Sequence, residues 1–226
     1  MNIQELHEWP RLRHEAVKIQ HQFKSQIVLD GSLDDVRLIA GVDTAFDHVN
    51  DILFAAVCLF SYPELIEEER ATAWAPAAFP YFPGLHAFRE GPVILKAFSY
   101  LRITPDLVIF AAHGIAHPLR FGMAGHLGLI LDVPSIGCAR KVLVGDYEEV
   151  GPLKGNSSPL TIDGEQVGTV YRSRDHVKPI FISPGHRCGL SAAVDMTVKC
   201  LRDFRIPEPL QAAHRLANKI KHNSKQ

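Results

Sequence analysis

Residues 36–45, VRLIAGVDTA, are the first of three strand-like segments that decide the fold. Residues 52–62, ILFAAVCLFSY, follow after a short polar link and are almost entirely apolar. Residues 64–73, ELIEEERATA, have the polar composition of a strand at an exposed sheet edge. Because consecutive strands joined by short links usually pair with each other, these segments predict an antiparallel meander.

Strands and helices alternate after the meander. Residues 106–112, DLVIFAA, and 134–139, PSIGCA, are predicted strands on either side of a predicted helix over 118–131, an order that favours parallel pairing. Further elements are a hairpin over 160–173, a strand over 179–183, and helices over 10–26, 90–101, 190–204 and 210–220. We therefore expect an α/β protein whose mixed sheet continues the meander with parallel strands and carries helices on both faces.

The composition is that of an ordinary globular protein. The chain has 226 residues, 46% of them hydrophobic, and a formal net charge of −1, so we expect a single domain over 1–226. A nucleic-acid partner would have to meet a local basic patch. The sequence shows no secretory signal and no apolar run near the roughly 18–20 residues of a membrane span, so we expect a cytoplasmic protein. Its four cysteines have no CxxC spacing, so we expect them to be reduced thiols. We also expect the protein to be a monomer.

Two acidic residues stand out by their positions. Asp43 interrupts an apolar strand, where a buried carboxylate needs a partner, a metal ion or a raised pKa; alternatively, it is a solvated residue that starts a turn. Glu90 opens a predicted helix, where an acid ordinarily complements the helix dipole. Considered singly, Asp43 leaves both interpretations open, whereas Glu90 is sufficiently explained by the helix dipole.

The segment 111–120, AAHGIAHPLR, lies where a predicted buried strand gives way to a helix, the usual place for ligand binding in an α/β sheet. Its His113 and His117 are candidates to bind a metal or a phosphate, or to cap local structure. Basic side chains recur in the loops of the chain and are either phosphate-binding groups or ordinary surface charges. They are Arg89, Arg120, Arg140, Lys141 and Arg187.

Six motifs, in this order and spacing, resemble the endonuclease V family over almost the whole chain. They are AGVDTAF (40–46), PYFPGLHAFREGP (80–92), HGIAHPLRFGMAGHLG (113–128), DVPSIGCARK (132–141), ISPGHR (182–187), and RIPEP (205–209) followed by His214. The resemblance implies an RNase H-like fold. It also implies Mg²⁺-dependent hydrolysis of the second phosphodiester bond 3′ to deoxyinosine in DNA repair, with inosine-containing RNA as the substrate of some members.

Matched position by position, the resemblance implies that Asp43, Glu90 and His214 form the metal site, with Mn²⁺ as a substitute for Mg²⁺. Asp43 and Glu90 would be catalytic together with Arg140, which stands where the family has a lysine beside the scissile phosphate. Tyr81 and Pro83 match the wedge that enters the strand gap when the base flips out. The remaining predicted nucleic-acid contacts are Gly84, His117 and Gly137 in the lesion pocket, and Arg89, His113 and Arg187.

The sequence departs from the family pattern inside the site itself. Ala111 and Ala112 replace an Asp that supplies a third metal carboxylate and a Gly that lets the base approach. A methyl group cannot bind a hard cation. Asp106 is a poor replacement because it lies about 16 Å back along the strand and on its opposite face. His113 is about 7 Å further on, and imidazole suits Mg²⁺ badly.

These departures leave more than one function open. The first hypothesis is an endonuclease V-like nuclease whose activity is weakened or altered by Ala111, Ala112 and Arg140. The alternative is a catalytically inactive relative that binds nucleic acid through the retained wedge and basic loops. A different reaction on the same fold is a third hypothesis, because a fold does not fix a function.

Overall fold

The computed structural model describes residues 3–224, and all its strands belong to one eight-stranded sheet in the order β3-β2-β1-β4-β5-β8-β7-β6. The strands are β1 (Leu38–Asp47), β2 (Ile52–Ser61), β3 (Glu67–Pro76), β4 (Leu107–Phe110), β5 (Ser135–Ala139), β6 (Ser157–Ile162), β7 (Glu165–Tyr171) and β8 (Ile180–Pro184). The helices are α1 (Arg13–Phe23), α2 (His86–Phe98), α3 (Met123–Leu131), α4 (Leu190–Lys199) and α5 (Glu208–Asn223).

The predicted meander is confirmed. Strands β1, β2 and β3 pair antiparallel, and Asp43 of β1 lies opposite Ala56 of β2. Strand β2 is buried along almost its whole length, whereas buried positions are few in β3 at the sheet edge. The apolar and polar composition of the two segments therefore matches their central and edge positions.

Parallel pairing is confined to the centre of the sheet. Strand β4 runs parallel to β5, as the strand–helix–strand order predicted, and it also runs parallel to β1, a pairing that was not predicted. Strand β8 instead runs antiparallel to β5, and the β6–β7 hairpin extends the sheet beyond it. The hairpin turns at Asp163 and Gly164, both with positive φ, so the chain reaches β8 from a reversal rather than from a helical crossover.

Helices cover both faces of the sheet, and alternation along the strands assigns the core to each face. Ala40 and Val42 of β1 pack in the cluster that contains α2 and α3. Ile39 of β1 and Ile109 of β4 pack in the cluster that contains α4 and the start of α5. Because side chains alternate between faces, Asp43 and Ala111 point to the α4–α5 side, in line with Ile39 and Ile109.

Several element boundaries differ from the predictions. Helix α2 begins at His86, so Glu90 is its fifth residue and is not a first-turn complement to the helix dipole. Helix α3 begins only at Met123, because residues 113–122 form a loop at the end of β4. All four cysteines are buried and unpaired, and no helix within residues 3–224 is long and apolar enough to cross a bilayer.

Candidate active site

A cavity of about 280 Å³ opens beside Asp43 in the middle of β1, where the shorter neighbouring strands β4 and β5 end. Of the residues singled out from the sequence, it is lined by Asp43, Gly84, Glu90, Ala111, Ala112, His113, His117, Arg140 and Lys141. Because the carboxyl ends of parallel strands meet at one edge, this position agrees with the expected place of a ligand site in such a sheet.

Asp43 has partners on both carboxylate oxygens. Its Oδ1 accepts a hydrogen bond of 2.8 Å from the backbone N–H of Thr44. Its Oδ2 lies 2.8 Å from Nδ1 of His214 and 3.5 Å from Nη2 of Arg140. The Asp43 side chain is only 13% exposed, so it is a partnered carboxylate of the cavity wall and not a solvated turn residue.

His214 reaches Asp43 because helix α5 packs directly on the backbone of β1. A Cβ atom at Gly41 would lie 2.1 Å from the carbonyl carbon of Pro209, close to the start of α5. Only glycine permits this approach without moving the helix. The RIPEP segment and Gly41 are therefore the features that place His214, on the second turn of α5, against the carboxylate.

Glu90 enters the cavity from the opposite side of the sheet. Its Oε2 accepts a hydrogen bond of 2.7 Å from the Thr44 hydroxyl. Burial raises the pKa of Glu90 to about 7; the Thr44 hydrogen bond opposes this shift, and the negative charge of Asp43 adds to it. Thr44 was not identified from the sequence, although alternation along β1 places it on the α2 side, opposite to Asp43.

Ala111 presents a methyl group to the cavity directly after β4. Its backbone N–H donates a hydrogen bond of 2.9 Å to the carbonyl of Val42, which fixes it beside the strand that carries Asp43. Asp106 lies at the other end of β4, where its Oδ2 accepts hydrogen bonds from the backbone of Arg37 and Leu38. Asp106 therefore does not replace the missing carboxylate.

The loop over residues 79–85 displays the predicted wedge. Tyr81 is 63% exposed, and Pro83 is exposed beside it. The base of the loop is fixed, because Arg89 donates a 2.6 Å hydrogen bond to the carbonyl of Phe79 while its guanidinium lies over the Phe46 ring. This mostly buried Arg89 supports the loop from below; its predicted contact with nucleic acid stays a prediction.

Gly84 and His117 form the other anchor of this loop. Nε2 of His117 lies 2.7 Å from the Gly84 carbonyl oxygen, which also accepts a hydrogen bond from Gln20. Gly84 has a φ of +81°, and a Cβ atom there would lie 2.9 Å from the His117 ring. Glycine is thus required by both the backbone conformation and the close approach of the imidazole.

Two further histidines line the cavity, whereas Gly137 is not among its lining residues. His113 lines it, and burial lowers the pKa of His113 to about 4. His86 also lines the cavity, with its ring 5.0 Å from that of Tyr81, but it precedes the helix predicted over 90–101 and is not among the predicted site residues. Gly137 packs against the backbone of residues 112–114, where a Cβ atom would lie 2.4 Å from the Gly114 nitrogen.

Arg187 is not brought to this cavity. It follows β8, which runs antiparallel to β5, and it therefore lies near the opposite end of β5 from Arg140. Its guanidinium forms a 2.6 Å ion pair with Asp132, just before β5. The antiparallel direction of β8, which the sequence did not reveal, is the reason for this separation.

The donor set fits a divalent cation with one carboxylate fewer than the family pattern. Asp43 and Glu90 are oxygen donors of the kind that Mg²⁺ prefers, and their mutual repulsion is of the kind that a cation relieves. Within residues 3–224, no group of three or more His, Cys, Asp or Glu side chains is arranged to hold a metal ion. Two carboxylates suffice for Mg²⁺ when water and substrate phosphate complete its shell.

The chain is similar in sequence to known proteins over most of its length. The family model for endonuclease V matches residues 21–215. Endonuclease V of Nostoc punctiforme is 43% identical over 213 residues, which are 94% of this chain and 96% of the relative.

Solved structures give the same result. The crystal structure of endonuclease V from Streptomyces avermitilis has a TM-score of 0.91 and 33% identity, with both chains covered in full. Ciona intestinalis endonuclease V, solved with a 24mer DNA containing an inosine followed by a ribo-adenosine, shares the fold at 24% identity (TM-score 0.83, 93% of this chain and 98% of that one). The mixed sheet is thus an RNase H-like fold, and the chain belongs to the endonuclease V family.

Proposed function

We propose that this protein acts on inosine-containing nucleic acid and hydrolyses a phosphodiester bond 3′ to the lesion, at a rate reduced by the absence of a carboxylate at position 111. The observation that carries the proposal is the convergence of Asp43, Glu90 and Arg140 on one cavity, with His214 behind Asp43. The substrate class is supported by the Ciona intestinalis relative, which was solved with inosine-containing DNA.

Asp43 and Glu90 would hold Mg²⁺, or Mn²⁺ in its place, in this cavity. Such an ion, when bound, activates a water molecule and neutralises the charge that develops on the departing 3′ oxygen. His214 orients the Asp43 carboxylate through its 2.8 Å contact with Oδ2, and Thr44 does the same for Glu90. Both carboxylates are therefore held in position by contacts within the protein.

The remaining roles concern the strand. Arg140 and the adjacent Lys141 line the cavity and offer positive charge to a phosphate. The exposed Tyr81 and Pro83 would fill the gap left by an extruded base. Selectivity follows from the cost of extrusion, which is lower for a weakly paired hypoxanthine than for a well-paired base.

The proposal is tested by incubating the protein with an inosine-containing strand and Mg²⁺ or Mn²⁺. We expect slow, site-specific cleavage that disappears in Asp43→Ala and in a strand with adenine in place of inosine. Cleavage no faster than that of Asp43→Ala would reject the hydrolytic function.

A second candidate function is binding of the same strands without cleavage. Two observations favour it: the methyl group of Ala111 in the cavity wall, and the pairing of Asp43 with Arg140. This function predicts affinity for inosine-containing strands that survives chelation of metal ions and declines as salt rises. Absence of binding at low salt would reject this second function, and cleavage specific for inosine-containing strands would support the first.

A further inference from the structure

Arg140 lies close to Asp43, so its positive charge would act on any cation bound to that carboxylate. Its Nη2 lies 3.5 Å from Oδ2 of Asp43, the same oxygen that His214 contacts. The other oxygen of Asp43 already accepts the backbone N–H of Thr44. Every carboxylate oxygen of Asp43 thus has a donor or a positive charge from the protein itself.

The backbone at Arg140 is held by a second arginine. Nη2 of Arg205, in the connection between α4 and α5, donates hydrogen bonds of 2.7 Å to the Arg140 carbonyl and 2.6 Å to the Pro179 carbonyl. Arg205 thereby ties the end of β5 to the start of β8. The base of the Arg140 side chain is consequently fixed, while the side chain itself stays 38% exposed and open to a ligand in the cavity.

A guanidinium and a divalent cation cannot both stay close to one carboxylate without repelling each other. The Asp43 side chain is mostly buried, so water screens this repulsion less than at a free surface. A phosphodiester that enters the cavity would give the guanidinium an alternative partner, since its planar fork of donors matches phosphate oxygens as well as carboxylate oxygens.

We propose that Arg140 is an internal counter-ion of Asp43 that a divalent cation must displace, and that a nucleic-acid phosphate releases Asp43 by taking over Arg140. Cation and strand then bind cooperatively, and by linkage each raises the affinity for the other by the same factor. The inference rests on the proposed site for the strand and the cation, and it adds the order in which the site becomes competent.

The first experiment measures Mn²⁺ binding to the full chain in the absence of nucleic acid, from the electron paramagnetic resonance signal of free Mn²⁺. Arg140→Gln should bind Mn²⁺ at least tenfold more tightly than the wild-type protein. The matched control is Lys141→Gln, which removes the same charge from the neighbouring residue and should change the affinity less than threefold. Equal effects of the two variants, or no Mn²⁺ binding by any of the three proteins, would overturn the proposal.

The second experiment repeats the titration with an inosine-containing oligonucleotide. The oligonucleotide should tighten Mn²⁺ binding at least fivefold in the wild-type protein and have little effect in Arg140→Gln. An equal effect in both proteins contradicts the proposal. If Arg140→Gln does not fold, Arg140→Lys serves instead, since its ammonium lacks the guanidinium fork; it should tighten Mn²⁺ binding at least threefold without nucleic acid, and an unchanged affinity contradicts the proposal.

These outcomes separate the inference from the proposed hydrolysis. Tighter Mn²⁺ binding by Arg140→Gln with no cleavage by the wild-type protein supports the counter-ion and rejects the nuclease. Cleavage by the wild-type protein with unchanged Mn²⁺ binding in Arg140→Gln supports the nuclease and rejects the counter-ion.

Discussion

Ala111→Asp is the substitution whose effect depends most directly on the site geometry. Position 111 follows β4 on the same sheet face as Asp43, and its methyl group already lines the cavity. A carboxylate there would be a third oxygen ligand for a cation beside Asp43 and Glu90. Changes outside the first ligand shell typically cost 10–100-fold in metal affinity or activity, so we expect a restored ligand to raise cleavage by more than about 100-fold.

The same substitution should have the opposite effect on stability without metal. Burial and the charge of Asp43 already raise the pKa of Glu90 to about 7, so a third acid in this cavity adds repulsion. We therefore expect Ala111→Asp to lower the unfolding temperature in a chelator and Mn²⁺ to raise it again, because a ligand that binds only the folded state stabilises it.

The matched control is Ala111→Asn, which has nearly the same shape without the charge. Single-turnover cleavage of an inosine-containing strand should rise in Ala111→Asp and not in Ala111→Asn. Because Ala112 also adds a methyl group near the base, the assay includes Ala111→Asp with Ala112→Gly. If neither Asp-containing protein exceeds Ala111→Asn, a missing third ligand is not the defect.

Three other predictions concern separate parts of the molecule. Gly41→Ala should destabilise the fold by more than about 3 kcal/mol in urea denaturation, because its methyl group would meet the Pro209 backbone. The control is Gly189→Ala, whose Cβ atom would lie 3.7 Å from its nearest neighbour, and it should cost less than about 1 kcal/mol. Tyr81→Ala should weaken binding of an inosine-containing strand by about 5- to 100-fold at an unchanged unfolding temperature, since Tyr81 is exposed; loss of stability would contradict this role. Burial, and then the charge of His7, lower the pKa of His126 to about 3. Because the unfolded chain takes up a proton at this residue below pH 6.5 and the folded chain does not, the free energy of unfolding should fall between pH 6.5 and 3, by up to about 1.4 kcal/mol per pH unit. An unchanged pH dependence of stability in His126→Phe would contradict this assignment.

Local sequence patterns were sufficient for two parts of the sheet. The apolar segments and short links predicted the antiparallel pairing of β1 with β2, and the strand–helix–strand order predicted the parallel pairing of β4 with β5. The pairing of β4 with β1, which joins these two parts, was not predicted. The direction of β8 was not predictable in the same way. It depends on where the β6–β7 hairpin returns the chain, which is a tertiary property, and the position of Arg187 depends on it.

The site was predicted unevenly for a related reason. The family motifs selected Asp43, Glu90 and His214, and the structure brings His214 and Asp43 to 2.8 Å. Thr44 and His86 were missed. Thr44 is next to a selected residue but faces the other side of the sheet, and His86 is the first residue of α2, which begins four residues before the predicted helix.

The anchored loop over residues 79–85 has a consequence for the thermodynamics of binding. Its two ends are tied to the body of the protein by Arg89 at Phe79 and by His117 and Gln20 at Gly84. The conformational entropy of this segment is therefore lost when the chain folds and not when a ligand arrives. A loop that is already held in place would favour fast, selective binding of the proposed nucleic-acid ligand, and Gln20, which lies far from the loop in the sequence, would contribute to the affinity.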